Sequence, residues 1–382
     1  MNTRPKDRTE GAPAREVRFV MPGGVDDTAA PSGGNVYDRR ICRELPALGW
    51  GVHEHAVAGD WPRPGADPTA EVTRILRETP DGGVVMMDGL VACGIPGVVV
   101  PAAARLRLAV LVHLPLADET GLAPDTAREL DVDERLTLRS AAAVVAPSAW
   151  AAERLTRHHG LAPDRVHVAA PGTDTAPLAP GTAPDGPAVG PRLLCVASLT
   201  PRKAQHTLIE ALSRVAGLPW TCDLVGGTGH DPDYVRRLGG LITGHRLAGR
   251  VRLTGPRSGA ALESCYAAAD LLVLTSRAET FGMVATEALA RGVPVLATAV
   301  GGLPEAVGRL PDGSVPGALV PPDDPEALVA AVRHWLTDPV ERGRAKAAAR
   351  LRRIALADWH TTSRELARTF ERLCREAPLE TL

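Results

Sequence analysis

The chain has 382 residues, which exceeds one ordinary domain, so we expect two domains of about 150–200 residues each. Hydrophobic residues make up 45% of the chain and aromatic residues only 3%, which indicates cores built from Ala, Val and Leu. The formal net charge of -2 and the absence of a long basic block exclude recruitment of nucleic acid by bulk electrostatics.

The N-terminal segment, residues 1–14, is polar and charged without an apolar core, so it predicts a disordered tail and no signal peptide. The six cysteines show no CxxC spacing, which indicates reduced core residues of a cytoplasmic protein. The longest apolar stretch, Gly82–Leu116, is broken by prolines and arginines and predicts strand, helix and strand, not a membrane span.

Short apolar runs alternate with amphipathic segments such as Asn35–Leu48 and Asp125–Ser140 along the first half of the chain. The runs predict strands at Glu16–Val20, Val52–Val57, Gly83–Met87, Leu108–Val112 and Ala143–Ala146. The second half repeats this rhythm, with strands predicted at Leu193–Ala197, Cys222–Val225, Val251–Leu253, Leu271–Thr275 and Val295–Ala297. Apolar strands separated by helices are typical of parallel sheets that are covered on both faces.

The pattern predicts an α/β protein with two Rossmann-like, doubly wound domains that face each other across a cleft. Pro171–Pro191 is rich in Pro, Gly and Ala and lacks periodicity, so it marks the boundary between them. We place the first domain at residues 15–180 and the second at residues 181–356. The C-terminal residues 357–382 are expected to form a helix that crosses back to the first domain.

The most informative segment runs from Ala269 to Glu287, where a buried strand is followed by a polar loop with Glu279 and then a helix. The backbone N–H groups of Phe281, Gly282 and Met283 lie at the predicted helix N-terminus, where negative charge is favoured. The two glutamates have donor-binding roles in one interpretation, as acceptors of sugar and ribose hydroxyls. In the other, one caps the helix and the other is a solvated surface residue.

The spacing Glu279-TFGMVAT-Glu287, followed by ALARGVPVLATAVGGLPE, closely resembles the retaining glycosyltransferases of family four, which have the GT-B fold. The resemblance runs from about Leu193 to Val320, and the first domain matches more loosely. It implies that Glu279 faces the donor sugar, that Glu287 binds the ribose, and that the amides of residues 281–283 contact sugar and phosphate. It also implies a donor-binding second domain and an acceptor-binding first domain.

Lys203 falls where this family places a lysine against the donor diphosphate, a position where positive charge would stabilise the leaving group. A solvated loop lysine is the alternative. The chain departs from the family at Ser198, where an arginine is frequent, and Arg202 is the obvious substitute. Gly226, after the next strand, corresponds to a Gly-rich loop near the nucleotide.

In the first domain, Gly33, Gly34 and Asn35 resemble the family's early GG loop, whose amides approach the donor phosphates. A simple turn into a helix is the alternative. His113 follows the strand LAVLV, and the resemblance implies that it contacts the donor sugar near the reacting carbon. A structural histidine at the end of the strand is the alternative.

No metal is expected as a cofactor. The DxD patterns at Asp131–Asp133 and Asp231–Asp233 lie in or at the start of predicted helices, which favours solvated carboxylates. His158-His159 and the pair His53 and His55 lack evident partners for a metal site. The basic face of Arg39, Arg40 and Arg43 is interpreted as a solvated helix surface, so membrane contact is not favoured.

We therefore predict a metal-independent, retaining glycosyltransferase that uses a nucleoside diphosphate sugar and a small or medium soluble acceptor. A sugar phosphorylase, a nucleotide-sugar epimerase and a catalytically silent sugar-nucleotide-binding protein remain as alternatives, the last because of Ser198. A nicotinamide oxidoreductase is disfavoured, since Gly226-Gly227-Thr228-Gly229 is followed by Asp231-Pro232 where a third glycine is needed. No pattern in the sequence indicates an oligomeric state.

Overall fold

A computed structural model describes residues 15–27, 32–182, 190–228 and 231–375. In this part of the chain, two parallel sheets of six strands each lie between helices. The strands of the first sheet are β1 (Arg15–Pro22), β2 (Trp50–Val57), β3 (Val84–Asp88), β4 (Arg107–Leu111), β5 (Ala143–Ala146) and β6 (Val166–Val168). Those of the second sheet are β7 (Arg192–Val196), β8 (Thr221–Val225), β9 (Val251–Gly255), β10 (Leu271–Leu274), β11 (Val295–Thr298) and β12 (Gly317–Val320).

Most helices lie in the connections between these strands, and the last three follow β12. Those of the first half are α1 (Gly33–Glu44), α2 (Ala66–Glu78), α3 (Gly89–Ala92), α4 (Pro96–Ala103), α5 (Pro124–Ser140) and α6 (Ala149–His159). Those of the second half are α7 (Gln205–Ser213), α8 (Pro232–Gly244), α9 (Gly259–Ala267), α10 (Met283–Ala290), α11 (Leu303–Val307), α12 (Pro325–Thr337), α13 (Pro339–Arg352) and α14 (Trp359–Arg375).

The strand order places two crevices in the fold. It is β2-β1-β3-β4-β5-β6 in the first sheet and β12-β11-β10-β7-β8-β9 in the second. The order reverses beside β1 in the first sheet, where β1 lies between β2 and β3, and beside β7 in the second, where β7 lies between β8 and β10. Loops after adjacent strands diverge at such switch points, and ligands of doubly wound sheets bind there.

All ten predicted strands are confirmed, with ends that shift by up to two residues. The sequence pattern missed β6 and β12, which are edge strands of three and four residues. Their side chains are mostly half-buried or exposed, so neither strand produces a continuous apolar run. Within the expected linker, residues 171–182 have no regular structure, and residues 183–189 lie outside the described part, as do the tail 1–14 and residues 376–382.

Helix α14 packs against the first sheet although it follows the second sheet in sequence. The rings of Phe370 and Trp50 lie 5.2 Å apart, and those of Trp359 and Tyr37 lie 5.6 Å apart, both edge to face. These four side chains belong to one buried cluster with the residues of β1. The chain therefore passes between the two halves twice, once in each direction.

Two of the three arginines on the basic face predicted for α1 are in ion pairs. Arg39 pairs with Asp26 and Glu54, and Arg40 pairs with Asp174. Paired arginines offer less charge to an anionic surface than free ones. Across the described ranges, no helix combines the length and the apolar character needed to cross a bilayer.

Candidate active site

The loops after β7 and β10 meet at the switch point of the second sheet and bring Lys203 to Glu279. Lys203 Nζ forms an ion pair with Glu279 Oε1, and Ser276 Oγ donates a hydrogen bond to the same oxygen at 3.0 Å. The two charged side chains are 15% and 9% exposed. A cation and a carboxylate therefore lie side by side, mostly shielded from water, where a ligand of a doubly wound domain would bind.

The Glu279 loop leads into the N-terminus of α10 through Gly282, whose φ of +97° suits glycine. A Cβ on Gly282 would also lie 2.5 Å from Leu303 Cδ2. Met283 is the first residue of α10 and Phe281 is buried. The first N–H groups of a helix lack intrahelical acceptors and carry partial positive charge, so residues 281–283 can bind an anion.

Two further glycines let the Glu279 loop lie against the turn before α11. A Cβ on Gly301 would be 1.8 Å from the carbonyl oxygen of Glu279, and one on Gly302 would be 2.2 Å from that of Thr280. Gly302 N also donates to Glu279 O at 2.9 Å. No larger residue fits at either position without moving the loop, so these glycines determine where Glu279 lies.

Glu287 is the fifth residue of α10 and is held by Tyr266, whose hydroxyl donates to Oε2 at 2.7 Å. Burial raises the pKa of Glu287, while the Tyr266 hydrogen bond and the Arg291 guanidinium act to lower it. Arg291 lies 4.6 Å from the centre of the Tyr266 ring and pairs with Glu263. The carboxylate therefore has a defined position, and its role as a ribose ligand stays a prediction.

The remaining predicted residues of the second domain surround the end of β7. A Cβ on Gly226 would lie 1.8 Å from the carbonyl oxygen of Ala197, so close backbone packing alone requires glycine there. Arg202 Nε is buried without a hydrogen-bond partner in the described part of the chain. Ser198 O accepts a hydrogen bond from Gln205 Nε2 at 2.9 Å. Whether Arg202 replaces the arginine expected at position 198 stays a prediction.

The predicted GG loop is the beginning of a helix, because Gly33 and Gly34 are the first two residues of α1. A Cβ on Gly33 would lie 3.3 Å from Met283 Sδ, and one on Gly34 would lie 3.0 Å from His113 Cδ2. The two glycines thus let α1 approach both α10 and His113. The side chain of Asn35 contacts a different segment, because its Nδ2 donates to the carbonyl of Gly24 at 3.2 Å.

His113 lies two residues after β4, next to two aspartates that sequence reasoning did not include among the site residues. Its Nε2 is 2.8 Å from Asp38 Oδ1 and 3.7 Å from Asp88 Oδ2. Burial raises the pKa of Asp38 to about 8 and that of Asp88 to about 7, and it lowers the pKa of His113. A signal for Asp38 exists in the sequence, because it lies on the same helix face as the apolar Ile41 and Cys42.

The two domains touch across the cleft through the same segments. Thr280 Oγ1 donates to the carbonyl of His113 at 2.6 Å, and Ser148 Oγ donates to the carbonyl of Thr280 at 2.6 Å. Glu305 of α11 accepts hydrogen bonds from the amides of Ala149 at 2.8 Å and Trp150 at 2.7 Å. A carboxylate from the second domain therefore caps the N-terminus of α6 in the first.

We expect Glu305→Ala to favour an open cleft, because it removes both hydrogen bonds to α6. Hydrogen bonds to a charged group contribute about 1.5–3 kcal/mol, so ligand affinity should fall about tenfold or more. Solution scattering should show a larger radius of gyration than for the unsubstituted chain. The control is Glu326→Ala, which removes an exposed ion pair with Arg214 inside the second domain. Equal radii for all three proteins would contradict this role of Glu305.

Within the described residues, two groups of side chains each bring three atoms that could bind a metal within 4.8 Å of one another: Asp38, Asp88 and His113, and Asp131, His158 and His159. The prediction that His158 and His159 lack a partner is wrong, because α5 and α6 bring Asp131 to them. In both groups the histidines are hydrogen-bonded to carboxylates, with His158 on Asp131 and His159 on Glu134. In each group one buried atom, Asp38 Oδ2 or His159 Nδ1, has no hydrogen-bond partner among the described residues.

Two family models match the chain and together span most of it. The model described as Glycosyl transferases group 1 matches residues 187–352, and the one described as Glycosyltransferase Family 4 matches residues 70–177. The chain belongs to glycosyltransferase family 4. The matched residues include the Lys203–Glu279 pair in one half and the segment from Asp88 to His113 in the other.

Curated relatives of this family 4 protein carry one shared name. D-inositol 3-phosphate glycosyltransferase of Kineococcus radiotolerans is 32% identical over 280 residues, 68% of this chain and 63% of that protein. The protein of that name from Mycobacterium tuberculosis is 31% identical over 282 residues, 70% of this chain and 56% of that protein. The chain thus spans between half and two-thirds of the length of these relatives.

Solved structures of similar fold cover nearly the whole chain. Sucrose-phosphate synthase from Thermosynechococcus elongatus superposes with a TM-score of 0.76 and 23% identity, covering 94% of this chain and 99% of that one. Anabaena Alr3699/HepE in complex with UDP and glucose gives a TM-score of 0.73 and 22% identity, covering 93% and 99%. These likenesses establish the two-domain GT-B fold.

Proposed function

We propose that this family 4 protein is a retaining, metal-independent glycosyltransferase that moves a hexose-type sugar from a nucleoside diphosphate sugar to a hydroxyl or amine of an acceptor. The observation that carries the proposal is the shielded Lys203–Glu279 pair beside the N-terminus of α10. A cation and helix amides suit a diphosphate, and a carboxylate suits the hydroxyls of a sugar.

The donor would lie along the end of β10, with its sugar at Glu279, its diphosphate between Lys203 and α10, and its ribose at Glu287. The Tyr266 hydroxyl donates to Glu287 Oε2. Glu287 Oε1 has no hydrogen bond in the described part of the chain, so Oε1 would accept one from a ribose hydroxyl. Support for a uridine nucleotide comes from similarly folded proteins whose structures are titled as complexes with UDP or UDP-glucose.

The same geometry supports a route for the transfer. The bond between the sugar carbon and the diphosphate oxygen breaks, and the acceptor oxygen forms its bond on the same face of the sugar. The acceptor proton passes to the leaving phosphate, while Lys203 stabilises the negative charge that develops there. Glu279 is in an ion pair with Lys203 and is therefore assigned to binding the sugar, not to attack on it.

The acceptor would bind to the first domain, in loops that follow strand ends at the cleft. Two of these, Asp88–Cys93 and Leu114–Leu122, are described by the structure, and the third, Gly23–Ala30, is described only in part. The curated relatives are named for D-inositol 3-phosphate, a small soluble polyol, which supports a small soluble acceptor for this chain. The paired arginines of α1 also favour a soluble acceptor over a lipid.

A thermal-shift screen across nucleoside diphosphates and their sugars tests the proposed function. A ligand at 100 times its Kd adds about 2.7 kcal/mol of stability, so one nucleotide should raise the Tm clearly above the others. Incubation of that donor with polyol acceptors should then give a glycosylated product by mass spectrometry, with the anomeric configuration of the donor retained. No shift with any nucleotide, or an inverted product, would overturn the proposal.

We expect transfer activity to persist in EDTA, because Lys203 and the α10 amides supply the positive charge that a metal would otherwise provide. Initial rates before and after chelation should agree within about twofold, a change of about 0.4 kcal/mol in the barrier. Complete loss of activity that Mg²⁺ or Mn²⁺ restores would show that a metal is required.

A further inference from the structure

The two nitrogens of His113 have different surroundings. Nε2 faces Asp38 and Asp88, at 2.8 and 3.7 Å. Helix α1 covers the same edge of the ring, because a Cβ on Gly34 would lie 3.0 Å from Cδ2 and 3.5 Å from Nε2. Nδ1 lies on the opposite edge, and the described part of the chain provides no hydrogen bond to it, while the side chain is 20% exposed. The protein thus hydrogen-bonds Nε2 and leaves Nδ1 free to contact a ligand.

The two aspartates carry at most one negative charge at neutral pH. Both are buried, one oxygen of each lies within 4.8 Å of the other, and two like charges at this separation in a dry environment repel strongly. Burial raises the pKa of each carboxyl group; the charge of Asp38 raises that of Asp88 further, whereas the Asp88 side chain and Arg39 act to lower that of Asp38. The pair therefore keeps a proton to a higher pH than isolated carboxyl groups would.

The other ionisable groups around the pair do not neutralise it. Arg39 acts on Asp38 only through space, because its guanidinium is bonded to Asp26 and Glu54. Tyr37 donates its hydroxyl to the carbonyl of Ala169 at 2.9 Å, and burial raises its pKa well above 10.0, so it stays neutral. Burial also raises the pKa of the thiols of Cys42 and Cys93. The direct partner of the remaining negative charge is His113.

We propose that Asp38 is a positioning residue that accepts the Nε2–H of His113 and so presents the Nδ1 lone pair to a hydroxyl group of the donor sugar. Asp88 supports it by donating its carboxyl proton to Asp38. A neutral imidazole has one N–H and one lone pair, so fixing the proton on Nε2 makes Nδ1 an acceptor. The identity of the hydroxyl rests on the proposed function; the orientation of His113 does not.

The pH dependence follows from the shared proton. At a pH where the shared proton is still bound, Asp88 donates it to Asp38. The other oxygen of Asp38 is then available to accept the Nε2–H of His113. Once that proton is lost at higher pH, the two carboxylates repel each other, and the arrangement beside His113 is lost. The binding geometry is therefore present on the acid side of this transition and disappears on the alkaline side.

Two-bond ¹H–¹⁵N correlation spectra of ¹⁵N-histidine-labelled protein in EDTA, from about pH 6 to about pH 9, test the proposal. The spectrum of His113→Asn assigns the resonances. We expect a protonated Nε2 and an unprotonated Nδ1, with both resonances shifting at alkaline pH as the aspartates lose the proton that burial retains. In Asp88→Asn the nitrogen pattern should persist, because an amide donates to Asp38 like the protonated acid.

Asp38→Ala should give averaged shifts for the two nitrogens, because both tautomers become accessible. Asp38→Asn is the second variant in case alanine impairs folding; its amide can donate to or accept from Nε2, so it should no longer fix the proton there. Asp133→Asn on α5, another carboxyl group whose pKa burial raises, is the matched control and should change nothing at His113. A wild-type His113 with its proton on Nδ1, or a nitrogen pattern that stays unchanged in both Asp38 variants, would overturn the proposal.

Titration with UDP-glucose and with UDP alone tests the sugar contact separately. UDP-glucose should move the Nδ1 resonance of His113, whereas UDP should leave it in place, because only the first carries a sugar. If UDP alone shifts the Nδ1 resonance, the hydroxyl group that contacts Nδ1 does not belong to the donor sugar. If no nucleoside diphosphate sugar binds, the proposed function fails, while the nitrogen spectra of the free protein still decide the role of Asp38.

Discussion

Lys203→Ala is expected to lower kcat by about 10²–10³-fold with a smaller change in the donor KM. The lysine would neutralise charge that develops on the leaving diphosphate as the sugar bond breaks, and losing one such group costs about 2.7–4 kcal/mol of transition-state stabilisation. Steady-state kinetics with the donor identified by thermal shift measures the effect. Lys203→Arg should recover only part of the activity, because a guanidinium differs in shape from an ammonium group.

The same substitution also leaves Glu279 buried without its partner, so lost activity must be separated from lost stability. Lys346→Ala is the matched control, because Lys346 Nζ pairs with the buried Asp270 at 2.9 Å within the same domain. Both variants should unfold at lower temperature, since each leaves a buried carboxylate without its cationic partner. Only Lys203→Ala should lose turnover. Wild-type kcat and KM in Lys203→Ala would refute the assignment of Lys203 to the diphosphate.

Glu287→Gln is expected to raise the donor KM by about 30–100-fold while leaving kcat within severalfold. Replacing the carboxylate removes a charge-assisted hydrogen bond to ribose, worth about 2–3 kcal/mol. Tyr266→Phe should have a smaller effect in the same direction, because it only frees Glu287 Oε2 from its partner. Donor titrations at saturating acceptor measure both.

The pH dependence of donor binding gives an independent check on Glu287. Burial raises its pKa above 4.5, so the ionised form is present above the raised value and is lost as the pH falls through it. Wild-type donor affinity should therefore decline on the acid side, and Glu287→Gln should be flat there. The control Glu263→Gln alters the ion pair with Arg291 nearby and should keep the acid decline. An unchanged acid decline in Glu287→Gln would exclude Glu287 as its source.

The elements that sequence reasoning identified are those whose signal is local. Strands such as Ala143–Ala146 are buried on both faces, so each appears as an uninterrupted apolar run. Nine consecutive residues contain Glu279, Gly282 and Glu287 and run from the loop after β10 into α10. Their spacing alone therefore indicates a loop and a helix N-terminus. The short edge strands β6 and β12 were missed because a half-exposed strand has no such run.

The sequence by itself determined the class of fold, the order of its elements and the residues of the loop between β10 and α10, because hydrophobic periodicity and short motifs act over a few residues. Only the tertiary structure decided which distant residues meet: Lys203 with Glu279, Asp38 and Asp88 with His113, and Glu305 with the N-terminus of α6. Periodicity shows which face of an element is buried but not what it is buried against. The order of strands in each sheet decides that, and it places the ends of β7 and β10 side by side although about 80 residues separate them.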